Sequence, residues 1–261
     1  MRLEAGSFKS IFVWFELYPK TAHFFSVVKF RRGRMKGADY KYIATSRTGF
    51  VQQVVSSYVA RGYRFHVSGQ VPSGKDPRDI DEKLLDLYDI RKTKSQRYRA
   101  KQAGKANLQY IRFERDWLML GTHGKHPWKE LEAGNIKDCR RDEPIYFRGY
   151  SIRLKAGLYR PYRCRNDKAV AERDDKLRVR VQIARDTFRA LKADFLNVCK
   201  KRRPDWLASK FYNLPYEPYA PVRQQLLSLL FHVNQTLKKS GRKSISTDVI
   251  RLMRKQVLPF N

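Results

Sequence analysis

LQYIRFE (Leu108–Glu114) and DWLMLGT (Asp116–Thr122) lie almost end to end, and the fold turns on how they are read. In the first run, Leu108, Tyr110 and Arg112 fall on one side of a period-two pattern and Gln109, Ile111 and Phe113 on the other, the signature of a strand. Arg115–Asp116 is short enough for the tight connection of a hairpin. The chain then passes through HGKHPW (His123–Trp128) and a charged connection to a third strand-rich run, PIYFRGYSIRLK (Pro144–Lys155). Between Leu108 and Lys155 lie the densest strand signal, the only close pair of histidines and a series of arginines interleaved with aromatics.

Upstream, YKYIAT (Tyr40–Thr45) reads as a short strand. Thr48 is a candidate cap for a helix with Val51, Val54, Val55 and Tyr58 at helical spacing, and Gly62 is its C-terminal stop. YRFHVSGQV (Tyr63–Val71) alternates like a strand. Asp76 and Pro77 open a second helix with Ile80, Leu84, Leu87 and Tyr88 as its apolar stripe. Residues 1–34 read differently: apolar, broken by Pro19, too charged for a membrane span and wrongly ordered for a secretory signal. Met35 is expected to be the native start, with 1–34 an upstream extension; the intact mass of the protein made from its natural gene tests this.

Downstream, NDKAVAERDDK reads as a loop and LRVRVQI (Leu177–Ile183) as a strand with one basic face. A helix follows with Phe188, Leu191, Phe195 and Val198 as its stripe. Further helices are expected over Pro204–Tyr212, over Val222–Lys239 with Leu226, Leu227, Leu230 and Val233 inward, and from about Ser246 to Val257. The sequence thus predicts an α+β fold: a ferredoxin-like or RRM-like antiparallel sheet core over 35–183 with one sheet face open, and a helical C-terminal third, 184–261, on or beside it.

Charge bounds the function. Lys and Arg number 56 against 25 Asp and Glu, a net charge of +31. Such an excess predicts a polyanionic partner, because each neutralised phosphate releases condensed counterions. With 42% hydrophobic and 13% aromatic residues the chain has the means to fold, unlike a disordered basic arm. No basic amphipathic helix or lipidation signal points to a membrane. Cys139, Cys164 and Cys199 lie far apart with no CxxC pair, which fits a reducing cytoplasm. Without a P-loop, GxSxG or HExxH, nucleotide hydrolysis, esterase and zincin chemistry have no support, and no small-molecule cofactor is expected.

The strongest functional signal is the aromatic-basic interleave. Tyr146, Phe147, Arg148, Tyr150 and Arg153 are followed by Tyr159, Arg160, Tyr162, Arg163 and Arg165, and later by Arg178 and Arg180. Flat side chains stack on bases at roughly 1–3 kcal/mol each while cations hold the backbone; alternate members of a strand, however, are ordinary core. Arg91–Lys105 is the most basic connection, with Tyr98 set among Arg97, Arg99, Lys101 and Lys105; it reads as a phosphate-contacting segment or a solvated charged helix face. These residues make RNA or single-stranded DNA the expected partner, although the glycine-aromatic signature of an RRM is missing.

The alternative is a metal-dependent nicking nuclease using Mg²⁺ or Mn²⁺ at His123 and His126, with Glu130 and Glu132 close behind. Single-strand nicking enzymes of the replication-initiator and transposase type place histidines on a central strand of this kind of sheet and add a tyrosine on a later helix. They separate the two histidines by one hydrophobic residue; here two residues intervene, in a glycine-containing loop, and nothing selects among Tyr212, Tyr216 and Tyr219 as nucleophile. Asp79, Asp81 and Glu82 read as a solvated helix face. KKSGRKSISTDVIRLMRKQ offers a helix-turn-helix or a packing helix. A structural subunit of a ribonucleoprotein is the third possibility.

Overall fold

Ser46 starts the first helix. Its side chain accepts a hydrogen bond from the Gly49 amide at 3.0 Å, so the cap lies two residues before the expected Thr48. Helix α1 (Arg47–Gln52) widens into a π-helical turn over Gln53–Tyr58 and tightens into a 3-10 turn over Val59–Arg61. Gly62, at φ +95°, stops it as expected. The computed structural model describes residues 40–159 and 172–261; the expected extension over 1–34 lies outside them. Tyr40–Thr45 does not form the full strand: one parallel bridge pairs Ile43 with Arg112 in the Leu108–Phe113 strand.

Strand β1 (Phe65–Gln70) leads to α2 (Pro77–Leu87), capped by Asp76 with Pro77 in the first turn as the sequence implied. Ile80, Leu84 and Tyr88 of the expected stripe pack inward, joined by Asp81 and Leu85, while Leu87 is 41% exposed. The basic connection contains a helix, α3 (Lys94–Gln102), opened by a reciprocal capping box between Thr93 and Gln96. Then come β2 (Leu108–Phe113), β3 (Asp116–Gly121), a single-turn α4 (Trp128–Leu131) and β4 (Lys137–Asp138).

These strands make a four-stranded antiparallel sheet in the order β2-β3-β1-β4. Val67, Met119 and Tyr110 share one face across three strands and pack with Leu85, Tyr88 and Trp128. The opposite face was expected to be open and is not. Ile111, Leu118 and Leu120 are at most 2% exposed and lie in one core with Phe50, Val51 and Val54 of α1. The reason is in β2 itself: with Ile111 on one side and Tyr110 on the other, neither side of the sheet can be left in water without losing apolar burial.

A second antiparallel sheet, β5-β6-β7, is built from β5 (Ile145–Phe147), β6 (Tyr150–Tyr159) and β7 (Glu172–Ile183). Arg148 at φ +42° and Gly149 at φ +83° make the two-residue β5–β6 turn, whose twist matches that of its strands. β7 starts earlier than expected because Glu172 and Arg173 pair with Tyr159 and Leu158, drawing part of the expected loop into the ladder. Cys139 joins the sheets: its amide donates to Arg64 O at 3.0 Å and its carbonyl accepts from the Leu154 amide at 2.9 Å.

Helices α5 (Arg185–Val198), α6 (Pro204–Tyr212) and α7 (Ala220–Lys239) follow as the periodicity implied. Leu226, Leu230 and Val233 are buried, but Leu227 is on the surface. Gln225 of α7 clamps both backbone groups of Ile183, accepting from its amide at 2.8 Å and donating to its carbonyl at 3.0 Å. The last expected helix is absent. Only a 3-10 turn over Thr247–Val249 forms, and the tail runs back to the start of the fold, where Thr45 N donates to Pro259 O at 3.0 Å. The helix-turn-helix reading therefore fails. Leu252 and Met253 supply no buried stripe for a helix, and neighbouring groups take up the tail's backbone: Glu217 accepts from the Lys255 amide.

Candidate nucleic-acid interface

Alternation along β6 sends Ile152 and Leu154 into the core and Ser151, Arg153 and Lys155 to the other face. The register sets Arg153 opposite Arg180 and Lys155 opposite Arg178. Ser151 faces Gln182 on one strand and Tyr146 on the other, and Tyr146 is 62% exposed. One outward sheet face thus carries four cations and an exposed ring. Of these, Arg153 donates to Gln182 Oε1 at 3.3 Å and lies 3.7 Å from Asp142, and Arg178 donates to the Lys176 carbonyl. Like charges directly opposite on a ladder are destabilising in isolation. A polyanion laid across them removes that repulsion.

The basic helix α3 buries none of its own residues. Tyr98 is 65% exposed, and Arg99, Lys101 and Lys105 are also on the surface. Arg97 differs: its guanidinium lies 5.5 Å from the centre of the Tyr40 ring, with Nε and Nη2 buried and unpartnered. The C-terminal end of α3 is tied to the histidine loop by Ala106 N to Lys125 O and Lys125 N to Gly104 O, both 3.0 Å. Gly124, at φ +126°, allows this approach, since a Cβ there would sit 2.6 Å from the Ala106 nitrogen. Exposed Lys125 is thereby set beside Lys105, and exposed His123 lies in the same loop.

Other candidates are placed differently. Arg148 is held by Glu114 at 2.6 Å and Asp116 at 2.7 Å, so its charge is already matched within the fold. Tyr159 ends β6, but its side chain, with Arg160, Tyr162, Arg163 and Arg165, lies outside the described residues. His126 Nδ1 accepts the Trp128 amide at 3.1 Å, and burial together with nearby Lys92 lowers its pKa. Glu130 is exposed, and among the described residues no three His, Cys, Asp or Glu side chains are grouped to hold a metal. Tyr216 is buried edge-on against Tyr150, while Tyr212 is exposed.

Asp81 overturns the solvated-face reading of α2. It is fully buried, accepts from the Tyr110 hydroxyl at 2.6 Å and pairs with Arg112 at 2.8 Å. Burial pushes its carboxyl pKa up against the pull of both partners. Sequence reasoning also passed over Lys155, although the period-two spacing from Arg153 marks it. Among the described residues no helix is long and apolar enough to cross a membrane. Compared with known protein families, curated proteins and solved structures, the chain matches none.

Proposed function

We propose that this chain captures RNA or single-stranded DNA on a basic, aromatic-bearing surface. The outward face of β5-β6-β7 contributes Tyr146, Arg153, Lys155, Arg178 and Arg180. Exposed Tyr98, Arg99, Lys101 and Lys105 of the α3 region add cations and a second ring. The observation that carries the reading is the pair of like-charged rungs, Arg153–Arg180 and Lys155–Arg178. In a fold at a net charge of +31 such rungs gather positive potential on one sheet face, which draws a polyanion. Phosphates meet that potential along a strand, while an exposed tyrosine offers a base its flat face. Residues 160–171, which join β6 to β7, hold Arg160, Tyr162, Arg163 and Arg165 and extend the same chemistry in sequence.

The first sheet fits this reading as a scaffold. We read its order, β4-β1-β3-β2, with helices in the β1–β2 and β3–β4 connections, as supporting a ferredoxin-like unit. With α1 over its second face, the unit binds through neighbouring surfaces. The test is anisotropy with end-labelled single-stranded RNA and DNA over a salt series, with and without Mg²⁺ or Mn²⁺. Binding that weakens steeply with salt and falls in Arg153→Gln and Arg180→Gln supports the proposal. Absence of binding at low salt to either polymer defeats it, and metal-dependent cleavage lost in His123→Ala would replace it with the nuclease.

A further inference from the structure

A cavity of about 350 Å³ opens where the π-helical turn, the N-terminus of α3 and the Tyr40–Lys41 segment meet. Its wall includes Lys41, Arg61, Lys92, Lys94 and Arg97, and no carboxylate lines it. Lys92 pairs with Asp89 at 3.0 Å and Lys41 donates to the Asn261 carbonyl. Arg61, Lys94 and Arg97 have no carboxylate partner among the described residues. Three cations without a carboxylate partner on one concavity give it a positive potential that an anion would meet favourably.

Arg97 makes the second, independent observation. Its backbone carbonyl accepts from Asn107 Nδ2 at 2.9 Å and its guanidinium lies over the Tyr40 ring. Its Nε and Nη2 are buried without an acceptor. Buried guanidinium donors are ordinarily satisfied, and leaving them bare is unfavourable; an oxyanion in the cavity would supply what they lack once the guanidinium turns toward it. Neutral donors stand beside them. Burial pushes the Tyr58 hydroxyl up to about 12, so it stays protonated at neutral pH, and Gln53 and Ser57 of the π-helical turn line the wall. Such turns recur at functional sites.

We infer that this cavity binds a phosphoryl group, and that the group is the terminal 5′-phosphate of a nucleic-acid strand. The inference rests on the nucleic-acid reading for its strand-end part. A phosphate monoester carries about −1.5 to −2 charge at neutral pH and three acceptor oxygens, which matches converging cations better than a single diester does. The volume is at the small end of ligand sites, room for one nucleotide unit rather than a run of backbone.

The experiment compares 3′-labelled RNA oligonucleotides bearing a 5′-phosphate or a 5′-hydroxyl, with adenosine monophosphate and inorganic phosphate as competitors. Wild-type protein is expected to prefer the phosphorylated end by about tenfold, less at pH 5, where the monoester loses its second charge. Arg61→Ser and Lys94→Ser, both at exposed positions, should abolish the preference. Arg180→Gln should weaken both oligonucleotides alike and keep it. Equal affinity for the two ends in wild-type protein overturns the inference and leaves the nucleic-acid reading standing. Adenosine monophosphate bound through Arg61 and Lys94, with neither oligonucleotide bound, overturns both the strand-end assignment and the nucleic-acid reading.

Discussion

His66 shows how burial converts a residue's chemistry into a pH dependence. It lies 1% exposed on β1, with Nδ1 3.2 Å from the Lys137 carbonyl, and burial lowers its pKa to about 4. The folded pKa is below the unfolded value of about 6.5, so between them the folded state holds fewer protons. Stability from this group is therefore present at neutral pH and lost as pH falls through that window, roughly 3 kcal/mol by pH 4. Denaturant unfolding at pH 7 and pH 4.5 should show a shallower loss in His66→Gln than in wild type. Asp81→Ala should cost roughly 3–5 kcal/mol, because it leaves Arg112 buried and unpaired; thermal melts check this, and a change under 1 kcal/mol would contradict the buried pair. The sequence pointed to half of that pair. The period-two pattern set Arg112 beside Tyr110 on a strand, but an aspartate on a helix with polar neighbours looked like surface. Its burial depends on which way α2 rolls against the sheet.

At the scale of elements, Pro144–Lys155 was read as one strand-rich run, and the structure folds it into the β5–β6 hairpin, whose turn is set by two positive φ angles. Gly149→Ala should destabilise by about 1–3 kcal/mol, since a Cβ would meet Tyr216 Oη at 2.8 Å on a backbone already at φ +83°; the readout is the unfolding midpoint. The β6–β7 ladder predicts effects of opposite sign. Arg180→Gln relieves the repulsion with Arg153 and should raise stability by a few tenths of a kcal/mol, while lowering nucleic-acid affinity and reducing the salt slope by about 1. A variant that loses both stability and affinity would mean that Arg180 is structural. The early start of β7 was not legible because Glu172 and Arg173 gain strand geometry from their partners on β6, not from their own polar sequence. The last helix failed for a related reason: Ile250 is buried in the core while Leu252 and Met253 stay exposed, so its apolar positions share no single buried face.

Across the whole molecule, one continuous core runs from Ala44 through the second sheet to Ile250, and the tail closes on the first turn of α1. Removing residues 255–261 should lower the melting temperature of a single transition rather than release a separate one, because it strips Thr45 of its backbone acceptor at Pro259 and Glu217 of the Lys255 amide. Two transitions would show that the helical third is an independent unit.

By itself the sequence determined the mixed α and β class, most strand and helix positions, and a large excess of positive charge, because alternation, capping residues and net charge are local or additive properties. Tertiary structure decided which faces remain exposed. Whether Arg153 meets Arg180, whether α1 covers the first sheet, and whether Arg61, Lys94 and Arg97 converge on one cavity depend on register and packing between segments distant in sequence. Those long-range juxtapositions leave no periodic trace in the chain.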